Sequence, residues 1–151
     1  MALAIALHLL SAIIWVGGMF FAYMILRPAA VEALQPPQRL SLWVGVFNRF
    51  FPWVWGAVGL LLASGLWMIT VFYGGMGAVH WHVHAMLTVG LIMMLVFFHV
   101  YFAPFQRLKR AVAEQNWPEG GNQLGQIRKL IGFNLILGLL VAVIATAGRF
   151  L

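Results

Sequence analysis

The sequence predicts an all-α fold, an integral membrane four-helix bundle that forms a single domain over residues 1–151. Of the 151 residues 64% are hydrophobic and only 8% are charged, whereas soluble domains carry about a quarter charged residues. A soluble chain of this length could not bury so much apolar surface, because small domains leave much of their surface in water. Charged residues are also missing from stretches long enough to cross about 30 Å of hydrocarbon.

The uncharged stretches locate the individual helices. The first runs from the start of the chain to Arg27, and the last follows Lys129. The middle stretch, between Arg49 and Arg107, is long enough for two helices, and the glycine-rich residues 73–77 separate them. Such helices satisfy their own backbone hydrogen bonds in lipid. The predicted spans are about 3–26, 48–73, 82–105 and 128–149.

The basic residues lie at one end of the predicted bundle. The second connection, around residues 74–81, has none, and Arg149 alone marks the C-terminal end. The positive-inside rule makes the basic end cytoplasmic, so both termini and residues 80–84 are expected on the extracytoplasmic side. Anionic lipid headgroups, and not nucleic acid, are the expected partners of the net charge of +6. The basic residues of the first and third connections are Arg27, Arg39, Arg49, Arg107, Lys109, Arg110, Arg128 and Lys129.

Histidine is the residue on which chemistry inside the membrane must rest. The chain has no cysteine, and its three acids fall in the cytoplasmic connections. His8 and His84 lie on different helices at similar depth, an arrangement that bis-histidine haem ligation requires. His8, Trp15 and Gly18 share one helix face, where Gly18 lets a ring or helix approach closely. This pattern predicts a haem between His8 and His84.

His99 lies fifteen residues after His84, about 22 Å further along the same helix, and so cannot share its iron. It is a candidate for a second haem, for a propionate contact or for proton transfer. The alternative is an interior histidine that bonds a backbone carbonyl or a tyrosine.

The stretch HWHVH, residues 80–84, has a separate interpretation. A helical stretch would make His80 and His84 neighbours one turn apart, and an extended one would point all three imidazoles to one side. His80 and His82 suit copper or zinc by ligand type. The alternative is that they are wet interfacial residues beside Trp81. His84 is expected to turn inward.

Four segments resemble two related groups of bacterial membrane proteins, the HemJ-type protoporphyrinogen oxidases and the CopD-type copper-resistance membrane proteins. This resemblance implies a four-helix protein of the bacterial inner membrane that binds haem b through His8, His84 and His99, with Arg49 opening the second helix. Met86 replaces a lysine of the oxidase group, which weakens porphyrinogen oxidation. The copper-resistance group normally has more helices in a longer chain. The segments are residues 7–21, 47–69, 82–102 and 127–145.

These observations lead to a first hypothesis of a haem-b redox protein. As an oxidoreductase it would pass electrons to a quinone or respiratory partner, or oxidise a porphyrin-like substrate. The alternatives are a copper-binding or copper-transport membrane protein, and a non-catalytic subunit of a larger membrane complex. Membrane lipid and further copies of the chain are the other expected partners. No phosphate loop or serine–histidine pair is present, which argues against hydrolytic and nucleotide-driven activities.

Overall fold

The computed structural model describes residues 1–150 except the side chain of Arg149, so Leu151 and that side chain lie outside the described residues. Within them no strand occurs, and four segments are long and apolar enough to cross a membrane: Ala2–Ala33, Pro36–Phe72, Trp81–Ala113 and Trp117–Ala147. The prediction of an all-α, multi-pass membrane bundle is confirmed. The side on which each terminus lies stays a prediction. The helices are α1 (Ala2–Ala33), α2 (Pro36–Phe72), α3 (Trp81–Phe102), α4 (Pro104–Ala113) and α5 (Trp117–Ala147).

The helices extend further at the basic end than the sequence predicted. The first continues to Ala33 instead of about residue 26, and α2 begins at Pro36 instead of about residue 48. The last begins at Trp117 instead of about residue 128, with the Asn116 side chain accepting from the backbone N–H of Glu119 at 3.3 Å. The prediction ended each helix where charge begins. Charge ends an apolar run, but it does not by itself end a helix.

The predicted third connection contains a helix of its own. α3 ends at Phe102, Ala103 breaks the helix, and α4 begins with Pro104 at its first position. Phe105, Leu108 and Ala111 form its buried face. Because these residues recur at helical spacing, α4 lies as an amphipathic helix against α5 while Arg107 and Arg110 remain exposed.

Two helix pairs form the bundle, with aromatic rings between them. α1 packs along α2, and α3 packs along α5. Phe97 of α3 lies at the centre of the contact between the pairs. Its ring centroid is 6.2 Å from that of Trp15, 5.5 Å from that of Phe51 and 5.2 Å from that of Trp55, all three with the rings edge to face. We call these four side chains the aromatic layer.

A glycine turn joins α2 to α3 at the end opposite the basic residues. Gly74 and Gly75 have φ angles of +80° and +117°, which side-chain-bearing residues rarely adopt. The turn returns the chain so that His80 precedes the first residue of α3. His8, near the start of α1, lies at the same end of the bundle because α1 and α2 are consecutive, antiparallel helices. We call this end, with residues 1–8, 64–84 and 144–148, the histidine end.

Gly18 and Gly17 provide a matched test of the packing between α1 and α2. A Cβ atom on Gly18 would clash with the Phe50 ring, whereas one on Gly17 meets nothing within 4 Å. We expect Gly18→Ala to lower the free energy of unfolding by about 1–3 kcal/mol, because inserted atoms force a packed ring to move. Unfolding in detergent micelles measures the effect.

Gly17→Ala is the control, and it is expected to leave stability unchanged or to raise it by roughly 1 kcal/mol at most, since alanine favours the helix. Equal destabilisation by the two substitutions would contradict this account of Gly18.

Candidate metal centre

His80 and His82 form a pair of imidazoles at the histidine end. Their ring centroids lie 5.9 Å apart and their planes are inclined by 30°. When two imidazole nitrogens bind one ion at about 2.0 Å, each centroid lies roughly 3 Å from the ion, and the centroids lie roughly 5–6 Å apart. The observed separation therefore fits two rings that share one metal ion.

The start of α3 explains why these two rings lie close together. His80 immediately precedes the helix and has extended backbone angles, φ −72° and ψ 162°, whereas His82 lies in the first turn. The stretch is thus neither wholly helical nor wholly extended, the two arrangements that the sequence allowed. His80 is exposed and His82 is half-buried.

The end of α5 supports His82. A Cβ atom on Gly148 would lie 3.1 Å from the Cβ atom of His82, so the glycine allows this close approach. The Trp81 ring is exposed and stands nearly perpendicular to the His82 ring, at 89°. Trp81 occupies the rim of the bundle, where aromatic residues of membrane proteins commonly lie.

His84 does not turn inward. Its side chain is exposed, two residues beyond His82. Its carbonyl oxygen accepts from the Thr88 hydroxyl at 2.9 Å. α1 packs along α2 and α5, and within residues 1–150 no hydrogen bond or ring contact joins His8 to His84. The expected inward orientation of His84 is wrong. The pairing of His8 with His84 on one haem iron stays a prediction without structural support.

His8 bonds a residue that the sequence analysis did not select. Its Nδ1 lies 2.8 Å from the Ser64 hydroxyl oxygen, on α2. Ser64 donates its single hydroxyl proton to the Leu60 carbonyl at 2.5 Å, so its oxygen accepts from His8. This arrangement favours the tautomer of His8 that carries its proton on Nδ1. A histidine that binds metal commonly donates its other N–H in this way.

Two other candidate residues lie apart from this end. His99 is exposed near the end of α3, so the alternative of an interior histidine has no support in the structure. Arg49 is also exposed, and its guanidinium donates to the Gly45 carbonyl at 3.1 Å within α2. Their suggested roles toward haem stay predictions.

Trp15 and Gly18 serve the packing of the bundle. Trp15 is 3% exposed and belongs to the aromatic layer, and Gly18 makes room for the Phe50 ring. The prediction that Gly18 permits close approach is confirmed, although the approaching group is a side chain of α2. Spacing within α1 identified the shared face but not its partner helix.

The donor set at this end is neutral and small. Within residues 1–150 no three side chains of histidine, aspartate or glutamate converge, so the site rests on the two imidazoles of His80 and His82. Thioethers are near in sequence, at Met76 in the preceding turn and Met86 in α3. Imidazole and thioether are ligands that copper prefers, and carboxylates, which hard cations prefer, are absent from this end.

The fold and these side chains together define a multi-pass helical membrane protein with histidine and methionine, and no acidic residue, at one end. Residues 44–147 match the copper resistance protein D family, and this match covers more than half of the chain. The chain belongs to that family. The matched region includes His80 and His82 and excludes His8. No curated protein and no solved structure matches the chain.

The Ser64 hydrogen bond makes a prediction about His8. In Ser64→Ala the acceptor is lost, so we expect the His8 proton to redistribute between Nδ1 and Nε2, with a loss of about 1 kcal/mol in stability. Nitrogen-15 NMR of histidine-labelled protein reports the tautomer.

Thr70→Ala is the matched control, because the Thr70 hydroxyl also bonds a carbonyl of α2, that of Leu66 at 2.8 Å, without contacting a histidine. A His8 tautomer that is the same in wild type and Ser64→Ala would contradict the assigned hydrogen bond.

Proposed function

We propose that this chain is a copper-handling membrane protein of the copper-resistance type, which binds copper at His80 and His82 and passes it into the bundle. One observation carries the proposal: the two rings lie 5.9 Å apart inside the segment that matches the family. Copper is the cargo of the protein in this account. The precise ligands, the direction of transfer and the membrane in which it acts are parts of the proposal.

The charge of the donors favours the cuprous ion. Both imidazoles are neutral ligands, and the chain's three acids lie at the basic end, at Glu32, Glu114 and Glu119. Removing a divalent ion from water costs more free energy than removing a monovalent one, and neutral ligands recover a smaller share of that larger cost. Cu(I) also accepts low coordination numbers, so two imidazoles are sufficient to hold it, and the Met76 and Met86 thioethers are suitable additional donors.

The distribution of basic residues gives the direction of entry. The positive-inside rule assigns the basic end to the cytoplasm, so the histidine end faces the extracytoplasmic side of a bacterial inner membrane. Copper would then enter where the two imidazoles are accessible. His80 is exposed at that position, so an incoming ion or metallochaperone can reach it.

The haem-b hypothesis has no comparable support. It needs an imidazole on each side of one iron, and His84 is exposed while His8 bonds Ser64. The family match concerns copper resistance, and the resemblance to protoporphyrinogen oxidases has no counterpart in it.

Copper titration of the purified protein tests the proposal. Under reducing conditions, with a chromophoric Cu(I) chelator as competitor, wild type is expected to bind Cu(I). His80→Ala and His82→Ala should each lower the Cu(I) affinity of the pair by about tenfold or more, since each removes one of its two ligands.

His84→Ala is the matched control, because it removes an exposed histidine from the same turn region without removing a member of the pair. Equal losses in His84→Ala and His80→Ala would contradict the assignment of the pair. A wild-type protein that binds no copper, and instead shows a haem absorption band that His84→Ala abolishes, would overturn the copper proposal.

A further inference from the structure

An open groove runs along the outer surface of the bundle between α1 and α2. It has a volume of about 360 Å³, and side chains of these two helices alone line it. Small side chains form its floor, where Ser11 is 2% exposed and Ala57 is 4% exposed. The larger side chains of Ile14, Trp53 and Leu60 are exposed and form its walls. A volume of this size falls within the range of small-molecule sites, roughly 300–1,000 Å³.

The groove begins one turn from the last charged residue of α2. Arg49 precedes Pro52 and Trp53 by three and four residues, so it lies on the same helix face, with Cβ atoms about 5–6 Å apart. From Arg49 to Leu60 there are eleven residues, or about 16 Å along the helix. Half of the hydrocarbon thickness is about 15 Å. The groove therefore covers the depth of one leaflet, from the membrane edge at the basic end to the middle of the bilayer.

Arg49 supplies a positive charge at the end of the groove that lies at the membrane edge. Its guanidinium is exposed and donates to the Gly45 carbonyl at 3.1 Å, which directs it away from the hydrocarbon. Of its five N–H donors, none has a carboxylate partner within residues 1–150. Trp53, 67% exposed, lies one turn away, and such rings commonly lie at the level of the lipid headgroups.

We propose that this groove binds an anionic phospholipid from the leaflet at the basic end, with its phosphate at Arg49 and one acyl chain along Pro52, Gly56 and Leu60. The phosphate lies where the guanidinium leaves the hydrocarbon, and the chain runs toward the middle of the bilayer, as it does in a leaflet. An anionic headgroup is favoured over a zwitterionic one, because no choline cation opposes the attraction to the arginine. The lipid is a second ligand, and its site is independent of the proposed copper function.

The lining and the length of the groove favour an acyl chain over other occupants. Apart from the Ser11 hydroxyl and the Trp53 indole, its side chains are hydrocarbon, which gives a polar ligand little to bond. A helix of a partner protein would cross both leaflets, whereas the groove covers only one. A flexible chain that ends near the middle of the bilayer matches both properties.

Native mass spectrometry of the purified full chain tests the site, with phosphatidylglycerol or phosphatidylcholine of identical acyl chains added to the detergent. Wild type is expected to retain about one phosphatidylglycerol, with an affinity about fivefold higher than for phosphatidylcholine, the contribution of one arginine near an anionic lipid. Arg49→Gln should make the two affinities equal. Gly56→Leu should remove the retained lipid of either kind, because a Cβ atom on Gly56 meets nothing within 4 Å and the new side chain fills the groove.

Arg128→Gln and Gly59→Leu are the matched controls. Arg128 is an exposed arginine on α5, so its replacement lowers the net charge equally but outside the groove. Gly59 is an exposed glycine of α2 that also has room for a Cβ atom but does not line the groove. Both controls should retain lipid as wild type does, and circular dichroism verifies the fold of each variant. Arg49→Gln changes no packed side chain, so it tests the site even if Gly56→Leu does not fold.

Three outcomes would overturn the lipid site. The first is a wild type that retains no lipid or does not distinguish the two headgroups. The second is an equal loss of selectivity in Arg128→Gln and Arg49→Gln, which would attribute the preference to net charge alone. The third is a wild-type dimer that Gly56→Leu converts to a monomer, which would make the groove a contact between copies of the chain. None of these measurements involves copper, so either proposal can fail without the other.

Discussion

The aromatic layer sets the distances between the helices. Phe97 meets Trp15, Phe51 and Trp55 edge to face, and these contacts join the α1–α2 pair to the α3–α5 pair. Lipid supplies no hydrophobic drive for helices to associate, so the fit of such side chains determines the packing. Large rings keep the backbones of α2 and α3 apart. A small cavity beside Asn134 lies against these rings, in the same central region of the bundle.

Polar side chains connect helices within each pair. His8 donates to Ser64 between α1 and α2, and Asn134 donates to the Met93 carbonyl between α5 and α3. Each bond satisfies a polar group that would otherwise be unpaired at membrane depth, where water is absent. Oδ1 of Asn134 is buried and has no hydrogen-bond partner among the described residues.

The membrane also restricts the kind of metal chemistry that the bundle can hold. Carboxylates are absent from the histidine end and from the middle of every span, and histidine and methionine are the donors available there. Neutral donors cost less to bury in lipid than charged ones. They bind soft cations better than hard ones, so the ligands that the membrane tolerates are those that Cu(I) prefers. The copper-resistance family of the chain agrees with this chemistry.

Composition and charge spacing alone determined the all-α class, the number of spans and the asymmetry of basic residues, because these follow from the cost of placing charge in hydrocarbon. Helix ends were not determined in this way. α1 and α2 continue through charged residues, since charge ends an apolar run but does not by itself end a helix. The pairing of His80 with His82 was within reach of the sequence, but the inward orientation expected of His84 was not correct. Spacing within a helix shows which residues share a face, but only the fit between helices decides that His8 meets Ser64 and that Asn134 faces a cavity. Those partners depend on the sizes of side chains from distant parts of the chain, and no local pattern contains that information.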